Sequence, residues 1–317
     1  METEKKPLII LTGPTAVGKT DLSIALAKAV NGAVISADSM QVYRHMDIGS
    51  AKIKPEEMQG IPHYLIDILM PDEEFHVVKF QEYAKKALNE IYANHQIPIV
   101  VGGTGFYIQA LLYDIDFTEE KEDTAYRTQL ETLAKERGNA YLHHMLEQVD
   151  EASAKAIHPN NVKRIIRALE FYHKSGKKIS EHNEAERQKE SPYEFAYFVL
   201  DDEREKIYHR IDARVDKMLD AGLLDEVRRL KDMGYTKDFV SMQGLGYKEI
   251  LDYLEGNLSL EEAVYILKRD TRHFAKRQLT WFRREREVLW IEKPEFDYDE
   301  EKILDYMISV LQERGIL

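Results

Sequence analysis

The segment GPTAVGKT, Gly13 to Thr20, constrains this chain more than any other stretch in it. It fits G-x-x-x-x-G-K-[ST] at every required position. An apolar run, PLIILT at 7–12, precedes it, and Leu22, Ala25, Leu26 and Ala29 recur at helical spacing after it. The strand–loop–helix context makes Gly13, Pro14, Thr15, Ala16, Val17, Gly18, Lys19 and Thr20 the expected phosphate-binding residues. Glycines permit the tight turn that aims loop amides at phosphate oxygens. The helix start adds partial positive charge, Lys19 a full one, and the Thr20 hydroxyl is placed to ligate Mg²⁺. A chance glycine-rich turn is the competing reading, and both flanking elements argue against it.

A loop of this kind predicts a parallel sheet, and the sequence supplies one. Short apolar runs at 33–36, 64–69 (YLIDIL) and 97–101 (IPIVV) alternate with helical patterns, the longest at 77–95. Strands apolar on both faces and separated by helices indicate a sheet covered by helices on both sides. From residue 118 the character changes. No convincing strand occurs in 118–192, which reads as helices at 124–137, 139–148, 150–156 and 160–174 and a polar stretch to Pro192. Strand-like runs return at 195–200 (FAYFVL) and 288–291 (VLWI). The expected fold is therefore α/β: a P-loop NTPase-like parallel sheet built from 1–117 and 193–317, plus an all-helical insertion domain at 118–192.

Composition narrows the function. With 44% hydrophobic and 32% charged residues the chain is globular, and no apolar run approaches the length of a membrane span. The absence of cysteine excludes disulfides, thiolate metal sites and cysteine nucleophiles, and fits a cytoplasmic setting. The net charge of -13 argues mildly against a surface coated by phosphates, but the charge is uneven. Acidic residues crowd 119–123, 201–205 and 295–301, whereas basic residues crowd 268–286. A local basic face can bind RNA on an acidic protein.

The machinery that usually accompanies nucleotide hydrolysis is missing. The 97–101 strand ends in Gly102–Gly103–Thr104 where an acidic Mg²⁺ partner would stand. Asp67 is a possible substitute, placed inside a predicted strand. No lid with paired arginines is evident. The strand at 33–36 instead runs into ADSMQVYR, 37–44, which puts Asp38 at the carboxyl end of a strand, where ligands bind in such sheets. Asp38 is a candidate general base or metal ligand, and equally a candidate helix cap.

Taken together, GPTAVGKT, DSMQVYR, VGGTGFY at 101–107, HPNNVKRIIRALE in the helical insert, QGLGYKE at 243–249 and AKRQLTWFR at 275–283 resemble the bacterial tRNA dimethylallyltransferases, also called tRNA isopentenyltransferases (the MiaA family). The resemblance is ordered and spans nearly the whole chain. It implies transfer of a dimethylallyl group from dimethylallyl diphosphate to N6 of adenosine 37 in tRNAs that read codons beginning with U. The P-loop then grips the diphosphate of the prenyl donor. By the same resemblance Asp38 is the general base, Thr104 lies near the diphosphate and the modified nucleotide, and Arg214 joins Lys19 and Mg²⁺ in stabilising the leaving group. A target inside the anticodon loop must be flipped out to be reached.

One RNA-facing surface has its own sequence signal. On the helix predicted at 261–286, Arg269, Arg272, Lys276, Thr280 and Arg283 fall on one face. Val264, Leu267, Phe274, Gln278, Trp281 and Phe282 fall broadly opposite. Acidic residues are nearly absent from the basic stripe, which favours a phosphate partner over an ordinary solvated face. Lys163, Arg164 and Arg167 form a smaller cluster on the insert. The resemblance adds Arg127, Ser39, Met40, Gln41, Gln243, Gly246, Tyr247, Lys248, Arg277, Gln278 and Trp281 as positions near the anticodon stem-loop. His143, His144 and His158 lack metal-site spacing and are expected to be structural. The 195–198 aromatics and Trp290 are expected in the core, and 295–301 in a solvated loop ahead of a last helix.

The chain resembles the compact bacterial form of the family, without the zinc finger of the extended eukaryotic form. No obligate protein partner is expected, and nothing points beyond a monomer. An ATP-dependent small-molecule kinase shares the P-loop and sheet but would ignore tRNA. A tRNA-binding protein with an inactive loop would have little use for intact Lys19, Thr20 and Asp38. Relatives that alkylate free adenosine phosphates need neither the helical insert nor a basic face.

Overall fold

The computed structural model describes residues 5–117 and 124–317. In chain order the elements are β1 (Lys6–Thr12), α1 (Lys19–Ala29), β2 (Gly32–Ala37), β3 (His63–Tyr64), α2 (Val77–Ala93), β4 (Ile97–Gly102) and α3 (Gly105–Leu112). Five helices follow: α4 (Thr124–Arg137), α5 (Asn139–Val149), α6 (Glu151–Ala156), α7 (Val162–Ser175) and α8 (Ile179–Gln188). The chain then returns to β5 (Tyr193–Asp201), α9 (Arg204–Asp220), α10 (Leu223–Asp232), α11 (Tyr247–Leu254), α12 (Leu260–Phe282), β6 (Val288–Glu292) and α13 (Glu300–Glu313). Two compact units result, one from 1–112 with 192–317 and one from 113–191. No helix among the described residues is long and apolar enough to cross a membrane.

The first unit is a six-stranded sheet in the order β3-β2-β4-β1-β5-β6, with every pair parallel. All six residues of β2 are buried, as are Phe195 to Asp201 of β5, which is why these strands read as continuous apolar runs. Side chains of one parity, Ile9, Leu11, Val34, Ile99 and Phe198, form a core with Leu22 and Leu26 of α1 and Ile303, Met307 and Leu311 of α13. Residues of the other parity, Leu8, Ile10 and Val100, are equally buried, and α2 packs against β2 and β4. The register that matters most pairs Thr12 of β1 with Gly102 of β4, and Gly102 with Ala37 of β2. Three strand ends, and the loops that follow them, therefore emerge side by side.

The run YLIDIL departs from its sequence-based expectation. Only His63 and Tyr64 pair as a strand, because Leu65 and Asp67 turn to φ 65° and 54° and break the extended run. Asp67 consequently leaves the sheet and pairs with Lys52 at 2.5 Å.

The second unit is helical. Leu130, Leu142, Leu146, Ile165, Ile166 and Leu169 form its core. Fully burying each such side chain contributes roughly 1.5–3 kcal/mol. The polar stretch expected before Pro192 is helix α8. None of its residues is buried, so it carries no apolar stripe to betray it. Its start is fixed instead by Asp150, which accepts hydrogen bonds from the Ser180 amide (3.0 Å) and hydroxyl (2.7 Å) while also capping α6 through Ser153.

Candidate active site

The P-loop joins β1 to α1 in a strained, left-handed path, with φ of 146° at Gly13, 65° at Ala16 and 99° at Gly18. A side chain at Gly13 would also place its Cβ 2.4 Å from the Leu200 carbonyl oxygen, so glycine is obligatory there. Lys19 folds back over the loop and donates to the carbonyls of Gly13 (2.9 Å) and Pro14 (2.8 Å). Remote helices hold the loop from outside. Ala16 packs against Ile207, Ile211 and Ala275, and its carbonyl accepts from Arg210 Nε at 2.8 Å. Arg210 is itself braced by Asp202 at 2.5 Å. From α12, Gln278 Oε1 accepts the Thr15 amide at 2.8 Å while its Nε2 donates to the Gly103 carbonyl at 2.9 Å. Lys293 adds a donor to the Val17 carbonyl at 3.3 Å.

The ends of β2 and β4 supply the facing wall. Because Ala37 pairs with Gly102, the Thr104 amide reaches the Ala37 carbonyl at 3.2 Å, and Asp38 emerges beside Gly103 and Thr104. The three glycines of VGGTG each allow a close approach. A Cβ at Gly102 would meet the Ala37 backbone at 2.4 Å, at Gly103 the Gln278 amide at 2.1 Å, and at Gly105 the Trp281 ring at 2.2 Å. Asp38 Oδ1 accepts from the amides of Met40 (2.8 Å) and Gln41 (3.3 Å). No helix follows Asp38, so it is not a helix cap: its Oδ1 closes a turn instead, and the same carboxylate lines the cleft, where Oδ2 takes no hydrogen bond from a described residue.

Lys19, Thr20, Asp38, Gly102, Gly103 and Arg214 line one cleft with about 820 Å³ of space, its open mouth included. Arg214, on α9, donates to the Thr15 hydroxyl at 3.4 Å. Burial pulls the Lys19 ammonium down to about 7, and Arg214 lowers it further against the opposing pull of Asp38. Burial likewise raises Asp38, opposed by the Met40 and Gln41 amides, Lys19 and Arg214. Burial also lowers Arg214. Two desolvated cations thus share one carboxylate, a balance that an incoming polyanion would correct. A raised carboxylate is in turn a better proton acceptor than an ordinary one.

The remaining sequence-predicted residues separate into cleft, surface and interior. Gln41 lines the cleft, Met40 packs on Gly244, and Ser39 follows Asp38 in the same turn. Thr20 is exposed at the start of α1, within the cleft lining. Gln243 is exposed, and Lys248 pairs with Glu249 at 3.3 Å and Asp270 at 3.8 Å. Tyr247 is not a surface residue. It is fully buried and donates to Glu226 at 2.9 Å, while the Gly246 amide is taken by Glu249. Gln278 is likewise interior, committed to the P-loop and Gly103. Trp281 sits over Gly105, half-buried.

The basic stripe of α12 also differs from its expectation, because acids come from a neighbouring helix. Arg272 is paired with Asp212 (2.6 Å) and Lys268 with Asp216 (2.6 Å), both on α9, and Arg269 with Asp270 (2.8 Å). Lys276, Arg277 and Arg283 remain exposed. In the helical unit Lys163, Arg164 and Arg167 are exposed, whereas Arg127 is held by the buried Glu170 at 3.0 Å. His143 serves the interior, its Nε2 lying 2.9 Å from the Ala154 carbonyl oxygen.

His63, Arg210 and Lys293 had no role in the sequence reading. His63 lines the cleft, with Nδ1 2.8 Å from the Ile61 carbonyl oxygen and a proton affinity lowered by burial. It stands just before the YLIDIL run and opens β3, so nothing local in the sequence marked it. Arg210 and Lys293 gave no local signal, since each acts on a loop nearly two hundred or more residues away.

Residues 41–285 match the model of a family described as IPP transferase. The P-loop and Asp38 precede that match, but full-length relatives span them. The chain is 62% identical over 98% of its length to a tRNA dimethylallyltransferase of Lachnoclostridium phytofermentans, covering 99% of that protein. It is 53% identical over 95% of its length to one of Acetivibrio thermocellus, covering 97% of it. The crystal structure of a full-length tRNA isopentenylpyrophosphate transferase from Bacillus halodurans superposes with a TM-score of 0.73 at 44% identity, with 98% of each chain covered. A eukaryotic dimethylallyltransferase acting on tRNA gives 0.76 at 30% identity, over 90% of this chain and 74% of that one. With its P-loop, its carboxylate in the next loop and this breadth of likeness, the chain belongs to the IPP transferase family.

Proposed function

We propose that this enzyme transfers a dimethylallyl group from dimethylallyl diphosphate to N6 of adenosine 37 in tRNAs reading UNN codons, giving N6-isopentenyladenosine and diphosphate. The observation that carries the reading is the convergence of Lys19 and Arg214 on a P-loop whose neighbouring loop presents Asp38. The donor's diphosphate occupies the P-loop. Its allylic C–O bond breaks as the C–N bond forms, the electron pair leaves with the diphosphate, and Asp38 takes the N6 proton. Lys19, Arg214 and the start of α1 stabilise the charge that develops on the leaving group. Thr104, at the start of α3 beside Asp38, helps to place the diphosphate and the acceptor nucleotide.

No group of three His, Cys, Asp or Glu residues that could hold a metal occurs among the described residues, which suits an ion carried mainly by the substrate's own oxygens. Mg²⁺ held by the Thr20 hydroxyl and the diphosphate would neutralise part of the leaving group's charge. The exposed cations of α7 and α12 would supply the phosphate contacts that hold the anticodon stem-loop.

The test is incubation with Mg²⁺, radiolabelled dimethylallyl diphosphate and unmodified tRNA carrying A36 and A37. Label should enter the tRNA and disappear when A37 is replaced by G. Tight ATP binding without any transfer to folded tRNA would instead turn attention to the kinase reading.

A further inference from the structure

The QGLGYKE segment holds a residue that its expected place on an RNA-contacting loop does not explain. Tyr247 is buried, and its hydroxyl donates to Glu226 Oε1 at 2.9 Å. Glu226 is itself 2% exposed and sits on the buried stripe of α10 with Leu223, Val227 and Leu230. A buried carboxylate is costly unless its oxygens are satisfied. Here they are satisfied by one loop. Oε2 accepts the amides of Asp47 (3.0 Å) and Ile48 (2.8 Å), and Oε1 also accepts the amide of Gly49 (3.0 Å). Gly49 lies against the Tyr247 ring, where an added Cβ would come within 2.5 Å of Cζ.

A second buried charge, on the loop itself, ties it together. Lys52 Nζ donates to the Tyr43 carbonyl (2.7 Å), Asp47 Oδ1 (2.6 Å) and Asp67 Oδ1 (2.5 Å). The residues flanking these clamps are cleft residues: Ser50, Ala51 and Ile53 line it. The loop also reaches back to its own beginning. Gln41 Nε2 donates to the Ala51 carbonyl (3.4 Å) while Gln41 Oε1 accepts from the Ser36 hydroxyl (3.2 Å). The segment begins with Asp38 and ends at Ile53, and it contains no helix or strand. Its shape is set by these charge-assisted anchors.

We infer that Glu226, with Tyr247, is a positioning residue that fixes the acceptor-side wall of the cleft, so that Gln41 and Ala51 meet the flipped nucleotide beside Asp38. This rests on the function proposed above. Glutamine at 226 would keep the volume but offer one oxygen and an NH₂ group to four donors, leaving at least one loop amide facing another donor.

Steady-state transfer by wild type, Glu226→Gln and Tyr247→Phe, with each substrate varied in turn, tests it. Glu226→Gln is expected to raise KM for tRNA about tenfold or more and leave KM for dimethylallyl diphosphate within about twofold. Tyr247→Phe, which removes one of four hydrogen bonds, is expected to raise KM for tRNA about threefold. Should Glu226→Gln fail to fold, Tyr247→Phe carries the test alone. Unchanged KM values with kcat reduced only in proportion to the folded fraction, or both KM values rising together, would overturn the inference. Absence of transfer by the wild type would sink the underlying function instead.

Discussion

The cations of the α/β unit and those on α7 of the helical unit are deployed in opposite ways. Around the P-loop they are already engaged: Lys19 with two loop carbonyls, Arg210 with Asp202 and Ala16, Arg272 with Asp212, Lys52 with three oxygens. On α7, Lys163, Arg164 and Arg167 are exposed and pair with no acid among the described residues. The first arrangement builds a cleft of fixed shape whose charge is focused by burial. The second offers free charge to a polyanion. Counting basic residues along a helix cannot tell the two apart, because the acids that pair with Lys268 and Arg272 of α12 lie on α9.

The sharpest way to break this contrast is inside the cleft. Asp38→Ala, Lys19→Ala and Arg214→Ala should each cut kcat/KM about 10³-fold. In each, tRNA affinity measured by filter binding should stay within about threefold of wild type. A matching loss of tRNA affinity would make these residues part of the RNA surface. Next in size, changing Lys163, Arg164 and Arg167 together to Ala should weaken tRNA binding about 30-fold near 0.1 M salt. The slope of log K against log salt should fall by roughly 2. Rates at saturating tRNA should hardly change, and an unaltered slope would place the phosphate contacts elsewhere.

A pH series separates the buried charge from the free one. Burial brings the Lys19 ammonium of the free enzyme down to about 7 from an ordinary 10.5, so above about pH 7 it is mostly neutral. A diphosphate favours the ammonium form, so binding must then take up a proton. Donor affinity should be flat below pH 7 and fall by up to about tenfold per unit above it. Calorimetry in buffers of different ionisation enthalpy should find about one proton taken up at pH 8. Between about pH 7 and 10.5 the unfolded chain binds more protons at this residue than the folded one. Its penalty to folding therefore shrinks as pH rises through that window. The smallest effect is expected for Arg272→Ala: a salt slope within experimental error of wild type, and stability lowered by about 1 kcal/mol or less in urea melts as the Asp212 pair is lost.

What the sequence disclosed was whatever depends on neighbours along the chain. The P-loop was legible because its glycines, lysine and threonine are contiguous. The face of α7 was legible because Ile165, Ile166 and Leu169 recur at helical spacing. Asp38 could be placed but not assigned, and the geometry shows why: one oxygen caps the turn and the other is left to the cleft. What stayed hidden was long-range. Gln278 and Glu226 each interrupt an apolar helical stripe, and a polar residue on a buried stripe was the one available signal. Their partners, at Thr15 and Gly103 and at 47–49, lie far away in sequence. Helix α8 was hidden for the opposite reason, having no buried side at all.

The contact between Gly105 and Trp281 carries a practical consequence. The chain has two tryptophans, and Trp290 belongs to β6, on the edge of the sheet. The Trp281 ring lies against the backbone that follows Gly103 and Thr104, and its buried indole N–H has no acceptor among the described residues. Indole emission is sensitive to polarity and hydrogen bonding around that nitrogen. The enzyme thus carries its own optical reporter a few bonds from the substrate cleft. With Trp290→Phe to remove the second emitter, filling of the cleft can be followed in real time without an attached dye.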